Sequence, residues 1–240
     1  MSVRKELLNK IKSRGYWNIN FKPIPYNPQR INNLPDCKKL VEENTVEFRG
    51  WDYPHFPIRT GDDAGLIAGD NYYEGWIDWH ASKEIWRMYQ SGQFIHYLSF
   101  REDWAADDPF FTQQIREIPP NTVLSVNLTI CQLTEIFEFL ARLTRKGIYD
   151  DNIKVDINLH NTQNRKLLPS EPMRVSLFER YSSDIQNIPF SNIYQKEEIL
   201  IKPLDLALNT IVYFFNRFKW DTPPIEVIKS KQLDLISRNR

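Results

Sequence analysis

Residues 122–160 read TVLSVNLTICQLTEIFEFLARLTRKGIYDDNIKVDINLH and carry the clearest secondary-structure pattern of the chain. Its middle predicts an amphipathic helix, because apolar side chains recur at helical spacing over residues 136–143. Thr129 and Gln132 form a T-x-x-Q capping box at the predicted start. Gly147 ends the helix, since glycine readily adopts the left-handed conformation found there.

A predicted strand follows this helix. Asn152–His160 (NIKVDINLH) alternates apolar and polar side chains, as a half-buried strand does. Residues 122–127 predict a short strand before the helix. The stretch therefore combines strand, helix and strand within 39 residues, from 122 to 160.

The rest of the chain mixes both kinds of element without a regular alternation. Further strands are predicted at residues 16–21, 45–51, 71–79, 93–101, 174–178 and 198–201. Helices are predicted at residues 2–13, 33–43, 82–91, 110–117 and 204–218. Residues 52–70 predict a loop, and residues 102–109 an acidic turn.

This order predicts the α+β class, with a mixed, mainly antiparallel sheet and helices packed on it. We expect a single domain over residues 1–240. A break between two lobes is placed near residues 107–120, and a C-terminal tail at residues 221–240.

Composition narrows the function. Lys plus Arg and Asp plus Glu both total 31, so no net charge attracts a polyanion, and nucleic acid is not expected as the main partner. No apolar run approaches the ~20 residues that cross a bilayer, so no membrane contact is expected. Cys37 and Cys131 predict two buried free thiols in a reducing cytoplasm.

Motifs for common enzyme chemistry are absent from the sequence. It contains no G-x-x-x-x-G-K-[ST], no G-x-G-x-x-G, no G-x-S-x-G and no H-E-x-x-H. We therefore expect no cofactor and favour a protein without catalytic activity.

Histidines next to carboxylates leave one alternative open. The spacings of His55, His80, His96 and His160 match no standard metal pattern, so no metal site is predicted. The alternative is a metal-dependent hydrolase or nuclease, which requires His55 and His80 to converge with Asp52 and Asp78. His96, within a strand, is interpreted as structural.

Aromatic density is the unusual feature. Residues 48–104 hold five of the seven tryptophans. They form either an aromatic core, a stacking pocket for a planar ligand with Arg49 or Arg101 on its phosphate or carboxylate, or a hot-spot surface for a protein partner. The candidate ligand-binding residues are Arg49, Trp51, Asp52, His55, Trp76, Trp79, Trp86 and Arg101.

Two runs carry a resemblance to a family. RGWDYPH (49–55) and WRMYQSGQF (86–94) resemble segments of uncharacterised bacterial proteins linked to Schlafen/AlbA-type DNA-binding proteins. The resemblance covers about residues 44–145. It implies a sensor or interaction region and assigns no catalytic residue and no ligand.

Together, these observations favour a non-catalytic binding, sensor or adaptor protein that recognises a small ligand or protein partner through residues 48–104. Nucleic-acid binding without catalysis is a further alternative, for which a solvated mixed-charge surface is the preferred explanation. The basic residues behind it are Arg142, Arg145, Lys146, Arg165, Lys166, Lys229, Lys231, Arg238 and Arg240. Nothing in the sequence indicates an oligomeric state.

Overall fold

The computed structural model describes residues 3–169 and 181–237. Seven strands form one antiparallel sheet within this part of the chain. They are β1 (Tyr16–Ile24), β2 (Ala64–Ala68), β3 (Tyr72–Trp79), β4 (Ser82–Tyr89), β5 (Phe94–Ser99), β7 (Asn152–His160) and β9 (Asn187–Gln195). Their spatial order is β2-β3-β4-β5-β1-β7-β9. The strands β6 (Val123–Ser125) and β8 (Lys166–Leu168) form a separate parallel pair.

Helices pack on both faces of the sheet, which confirms the predicted α+β class. They are α1 (Val3–Lys12), α2 (Leu34–Glu42), α3 (Gln113–Arg116), α4 (Val126–Arg145), α5 (Lys196–Ile201), α6 (Pro203–Arg217) and α7 (Ile225–Ser237), with a 3₁₀ helix at Arg101–Asp107. None of the described helices combines the length and the apolar character needed to cross a bilayer.

The two faces of the sheet bury different clusters of side chains. In β1, Trp17 packs into the large core with α4 and α6, and its neighbour Tyr16 joins a smaller cluster with Leu7 and Ile11 of α1. Successive strand residues point to opposite faces, so adjacent residues enter different clusters. The sheet is therefore the central layer between α1 and the larger group of helices.

Residues 122–160 form the predicted order of strand, helix and strand. β7 alternates fully buried and half-buried residues over Asn152–His160, as the sequence predicted. The helix α4 begins earlier than predicted, at Val126. Its N-cap is Ser125, whose Oγ accepts a hydrogen bond from the N–H of Leu128 at 3.2 Å. The capping box assigned to Thr129 and Gln132 is wrong, because both residues lie inside the helix.

The helix predicted at residues 82–91 is a strand, β4. Its first five residues, Ser82 to Trp86, are all buried. Because both faces of the strand are covered here, its sequence does not show the alternation of polar and apolar residues that marks a half-exposed strand. Ile85 contributes to the α1 cluster and Trp86 to the large core. Trp86 lies directly over Gly75 of β3, where a Cβ would overlap the indole ring.

Two predicted strands are also wrong. Residues 45–51 form only an isolated bridge, in which the backbone N–H groups of Val46 and Tyr53 each donate to the other's carbonyl at 2.8 and 2.9 Å. Gly50, at φ 71°, turns the chain between them. Residues 198–201 belong to α5, which has a capping box between Gln195 and Glu198. The strand of this region is β9, which is largely exposed and therefore shows no clear apolar alternation.

The structure also defines the segments predicted as a C-terminal tail and as an acidic turn. The predicted tail contains the helix α7, and the predicted acidic turn is mostly the 3₁₀ helix. Strands from both sides of residues 107–120 lie in the same sheet. The strand predicted at residues 174–178 lies outside the described residues. Cys37 and Cys131 are free and buried, as predicted.

A buried ion pair joins the end of the sheet to the parallel pair β6–β8. Arg165 is 0% exposed and Asp103 is 2% exposed. Their groups meet at 2.8 Å (Nη1 to Oδ1) and 2.5 Å (Nη2 to Oδ2). Asp103 also accepts from the backbone N–H groups of Gly15 and Asn121, both at 2.8 Å. The guanidinium of Arg165 donates further to the carbonyls of Asn161 at 2.6 Å and Val123 at 2.7 Å.

We predict that Arg165→Met destabilises the protein by about 3–5 kcal/mol, because it leaves the Asp103 carboxylate buried without its counter-ion. Urea unfolding followed by tryptophan fluorescence measures this change. The control is Glu226→Gln, which removes an exposed partner of Lys229 and should leave the unfolding curve unchanged. A loss below about 1 kcal/mol for Arg165→Met would show that the pair does not hold the fold together.

Candidate functional site

The predicted ligand-binding residues separate into three groups in the structure. The first is a partly exposed cluster of rings at one end of β3. The indole of Trp51 stacks on the imidazole of His55, with centroids 4.3 Å apart and an angle of 16°. Trp79 lies 5.5 Å from Trp51 and is 46% exposed. We call Trp51, His55 and Trp79 the ring cluster.

The carboxylate of Asp52 holds the imidazole of His55, one of the three rings of the cluster, in place. Its Oδ1 contacts Nδ1 of His55, and its Oδ2 accepts from the backbone N–H of Phe56 at 2.8 Å. Burial lowers the pKa of His55, but the hydrogen bond with Asp52 and the charges of Glu84 and Asp52 outweigh it, so the pKa is raised overall. The imidazole is therefore held in its protonated form to higher pH than in an unfolded chain.

The second group consists of tryptophans in the core. Trp86 is fully buried, and its Nε1 donates to the carbonyl of His55 at 2.8 Å. Trp76 is buried in the α1 cluster, on the opposite face of the sheet. Neither indole offers a free face to a ligand, and their role is packing.

A layer of buried ionisable groups lies behind the ring cluster. Nε2 of His96 is 2.7 Å from Oε2 of Glu84, and Nδ1 of His96 is 3.3 Å from the hydroxyl of Tyr53. On the neighbouring helix α4, Glu135 accepts two hydrogen bonds from the guanidinium of Arg49, one of them at 2.7 Å. Glu84 and Glu135 were not among the predicted site residues, and Glu135 lies 86 positions from Arg49 along the chain.

The third group is the two predicted arginines, which the fold brings to one small cavity. Arg49 and Arg101 both line a space of about 20 Å³ at the amino end of α4. Ser99, Thr129 and Gln132 line it as well. We call this space the arginine cavity. Its volume exceeds the ~10–15 Å³ that one water-sized guest requires.

The arginine cavity is surrounded by hydrogen-bond donors without partners. Ser99 and Thr129 are 2% and 1% exposed, yet neither hydroxyl has a hydrogen-bond partner. Nε2 of Gln132 and Nε of Arg101 are also buried and unpartnered. Unpaired buried donors are costly, so four around one cavity indicate a guest that accepts hydrogen bonds.

Thr129 differs from other buried threonines in the helices. Thr134, Thr144 and Thr210 each donate to the carbonyl four residues earlier, at 2.7, 2.7 and 2.9 Å. The hydroxyl of Thr129 makes no such bond, and Thr129 is one of the residues that line the cavity.

Burial and neighbouring charges shift the pKa values of the ionisable residues around the cavity. Burial and the nearby charge of Arg49 both lower the pKa of Arg101, and Asp108 opposes this from 3.3 Å. Burial raises the pKa of Glu102, whose Oε1 accepts from the backbone N–H of Ser125 at 2.6 Å. Arg49 and Arg101 thus both line the space, and Glu102, the carboxyl on its wall, favours the neutral form more than an exposed carboxyl does.

The hydrolase alternative finds no support in the geometry. Among residues 3–169 and 181–237, no group of three or more His, Cys, Asp or Glu side chains could hold a metal ion. Asp78 is held by Lys10 and Lys83 instead, at 2.8 and 2.9 Å. Nδ1 of His80 lies 3.2 Å from the carbonyl of Asp107.

Several of the basic residues considered for nucleic acid are engaged within the chain. Arg142 and Arg145 contact Glu138 at 3.1 and 3.2 Å, and Lys146 contacts Glu43 at 3.1 Å. Arg165 is buried, and Arg238 and Arg240 lie outside the described residues.

Comparison with known proteins gives no relative for this chain: no family model, no curated protein and no solved structure matches it. The resemblance to Schlafen/AlbA-linked segments therefore stays a prediction.

We predict that Asp52→Asn destabilises the protein by about 1.5 kcal/mol at pH 6 and by less at pH 9. A raised pKa means that the protonated His55 stabilises the fold fully below its ordinary value of 6.5, and that this stabilisation is lost as the pH rises through the raised value. Asparagine keeps an acceptor for the N–H of Phe56, so the change isolates the charge.

Urea unfolding at both pH values measures this difference, and an NMR titration of His55 should show a lower pKa in the variant. Asp62→Asn, an exposed position of the same loop, serves as the control and should change neither quantity. An equal loss of stability at pH 6 and pH 9 would contradict the assigned role of Asp52.

Proposed function

We propose that this chain is a non-catalytic binding protein, of the sensor or adaptor kind, that recognises the anionic group of a ligand in the arginine cavity. One observation carries the proposal: four residues that line one cavity, Arg101 among them, each have a buried donor without a partner. Both arginines that line the cavity belong to the aromatic-rich segment from which the sequence predicted binding.

The chemistry of the donors selects an anion as the guest. The Nε of arginine and the Nε2 of glutamine only donate hydrogen bonds, and the two hydroxyls can donate as well. A carboxylate oxygen or a halide accepts from all of them at once, whereas a water molecule must also place its own two protons. An anion also relieves the mutual repulsion of Arg49 and Arg101, which contributes to the lowered pKa of Arg101.

The position on α4 adds to this preference. Thr129 and Gln132 lie in the first two turns of a helix of 20 residues. The amino end of a helix carries partial positive charge and favours anions. The helix therefore supports the same sign of guest as the two guanidinium groups.

Binding accounts for the cavity better than catalysis does. The four unpartnered donors are hydroxyl, amide and guanidinium groups, which are poor bases at neutral pH. Glu102 is already engaged by Ser125. The groups that line the cavity are thus suited to hold an anion in place.

We further propose that the protein acts in a bacterial cytoplasm. Two buried free cysteines suit a reducing compartment. The ring cluster, with Trp79 nearly half exposed, is the surface that we assign to a protein partner of the sensor, because partly exposed tryptophans commonly anchor such interfaces.

We predict that acetate or chloride raises the melting temperature at constant ionic strength, when it replaces the bulkier sulfonate isethionate, which has no carboxylate. At ten times the dissociation constant the stabilisation is about 1.4 kcal/mol, which corresponds to about 3–5 °C. Thermal unfolding of the wild-type protein against anion concentration measures it.

Thr129→Val sharpens the test, because it removes an unpartnered hydroxyl and keeps the shape of the side chain. Without a bound anion this variant should be as stable as the wild type or more stable. Its response to acetate should be lost, as should that of Arg101→Gln. Arg59→Gln, at an exposed arginine of the same segment, is the matched control and should respond like the wild type. An undiminished response in Thr129→Val and Arg101→Gln would overturn the proposal.

A further inference from the structure

A second, larger space adjoins the arginine cavity. It has a volume of about 620 Å³, within the ~300–1,000 Å³ typical of small-molecule sites. Half-buried apolar side chains make up much of its wall, among them Phe111, Ile115, Ile118, Leu128 and Leu168. We call this space the apolar cleft.

The two spaces share part of their walls. Glu102 and Leu128 line both the arginine cavity and the apolar cleft. Both spaces also lie at the amino end of α4, where Leu128 precedes Thr129. Glu102 and Leu128 thus form the boundary that the two spaces share, and a molecule that occupies both would extend past these two side chains.

Polar residues at the cleft are Glu102, Thr112, Gln114, Ser125 and Asn127, and two of them are already engaged with each other. Ser125 uses its Oγ to cap α4 and its N–H to hold Glu102. Removing apolar ligand surface from water is therefore the main source of affinity that this cleft offers.

The charges near the arginine cavity favour a carboxylate over a phosphate as the bound group. Arg49 is already paired with Glu135, and Arg101 with Asp108. A dianionic phosphate would add two negative charges and three oxygens to a space of about 20 Å³ whose two arginines are already paired with these carboxylates. A single carboxylate oxygen fits the volume and adds one charge.

Resting on the proposed function, we propose that the ligand is an organic monocarboxylic acid. Its carboxylate lies in the arginine cavity, and its apolar body fills the cleft formed by Phe111, Ile115, Ile118, Leu128 and Leu168. Chain length then determines affinity, since each methylene buried in the cleft contributes independently of the head group.

Isothermal titration calorimetry with acetate, butyrate, hexanoate and octanoate tests this inference. The affinity should rise about fourfold for each methylene that the cleft buries. Octyl phosphate should bind more weakly than octanoate, because of its second negative charge.

Two variants distinguish the contribution of the apolar cleft to binding from that of the arginine cavity. Ile118→Ser changes the cleft away from the arginine cavity, so it should weaken octanoate binding and leave acetate binding unchanged. Thr129→Val should weaken every member of the series by a similar factor. Both variants are checked for wild-type circular dichroism before titration.

Each outcome has a definite meaning. Acetate binding with no dependence on chain length would overturn the monocarboxylic acid inference and leave the anion-binding function standing. No binding by any member would overturn both. A chain-length dependence that Thr129→Val and Arg101→Gln do not alter would show apolar binding without the cavity, which also contradicts the inference. Octyl phosphate binding as tightly as octanoate would exclude the selectivity for a carboxylate.

Discussion

The buried ion pair between Arg165 and Asp103 ties together segments that are far apart in the sequence. Burying two charges is stabilising only when every remaining donor and acceptor is satisfied. Here the partners come from distant parts of the chain: Gly15 before β1, Asn121 and Val123 before α4, and Asn161 after β7. The pair thereby fixes where the 3₁₀ helix and the start of α4 lie relative to the sheet.

The arginine cavity is a consequence of this arrangement. Arg101 and Glu102 immediately precede Asp103 in the 3₁₀ helix, and Val123 lies two residues before the N-cap of α4. Gly15 leaves no room for a Cβ, which would overlap Phe100 and the guanidinium of Arg165. The geometry that brings Arg101 to the amino end of α4 is thus set by a pair that does not line the cavity itself.

Periodicity predicted the elements that bury one face and failed for those that do not. β7 and α6 expose one side, so their sequences alternate or repeat with a clear period. β4 lies between α1 and the large core, so its side chains are apolar or buried in both directions and resemble a helix in sequence. β9 fails for the opposite reason, because an edge strand that is mostly exposed has little apolar pattern to show.

The candidate site was predictable only where a single residue carried the signal. Arg49 and Arg101 stood out among aromatic residues, but Ser99, Thr129 and Gln132 are ordinary polar residues, and two of them were interpreted as a helix cap. Their meaning comes from burial without a partner, which depends on tertiary structure and not on local sequence. Trp76 and Trp86 show the converse, since their chemistry suggested a pocket while the alternation of the sheet placed them in packing.

Gly50 lies between Arg49, which lines the arginine cavity, and Trp51, which belongs to the ring cluster. Arg49 reaches inward to Glu135, whereas Trp51 stacks on His55 at the surface, and Gly50 between them has a φ of 71° that an L side chain rarely adopts. Under the proposed function, an anion in the cavity draws on the guanidinium of Arg49 and competes with Glu135 for it. Only one residue separates Arg49 from Trp51, so under this proposal a change in the pairing of Arg49 with Glu135 would reach the ring cluster through Gly50. A ligand shifts a conformational equilibrium only through such a difference in interaction between two states. The loop at Gly50 is therefore the shortest stretch of chain between the proposed anion site and the surface that we propose for a partner protein.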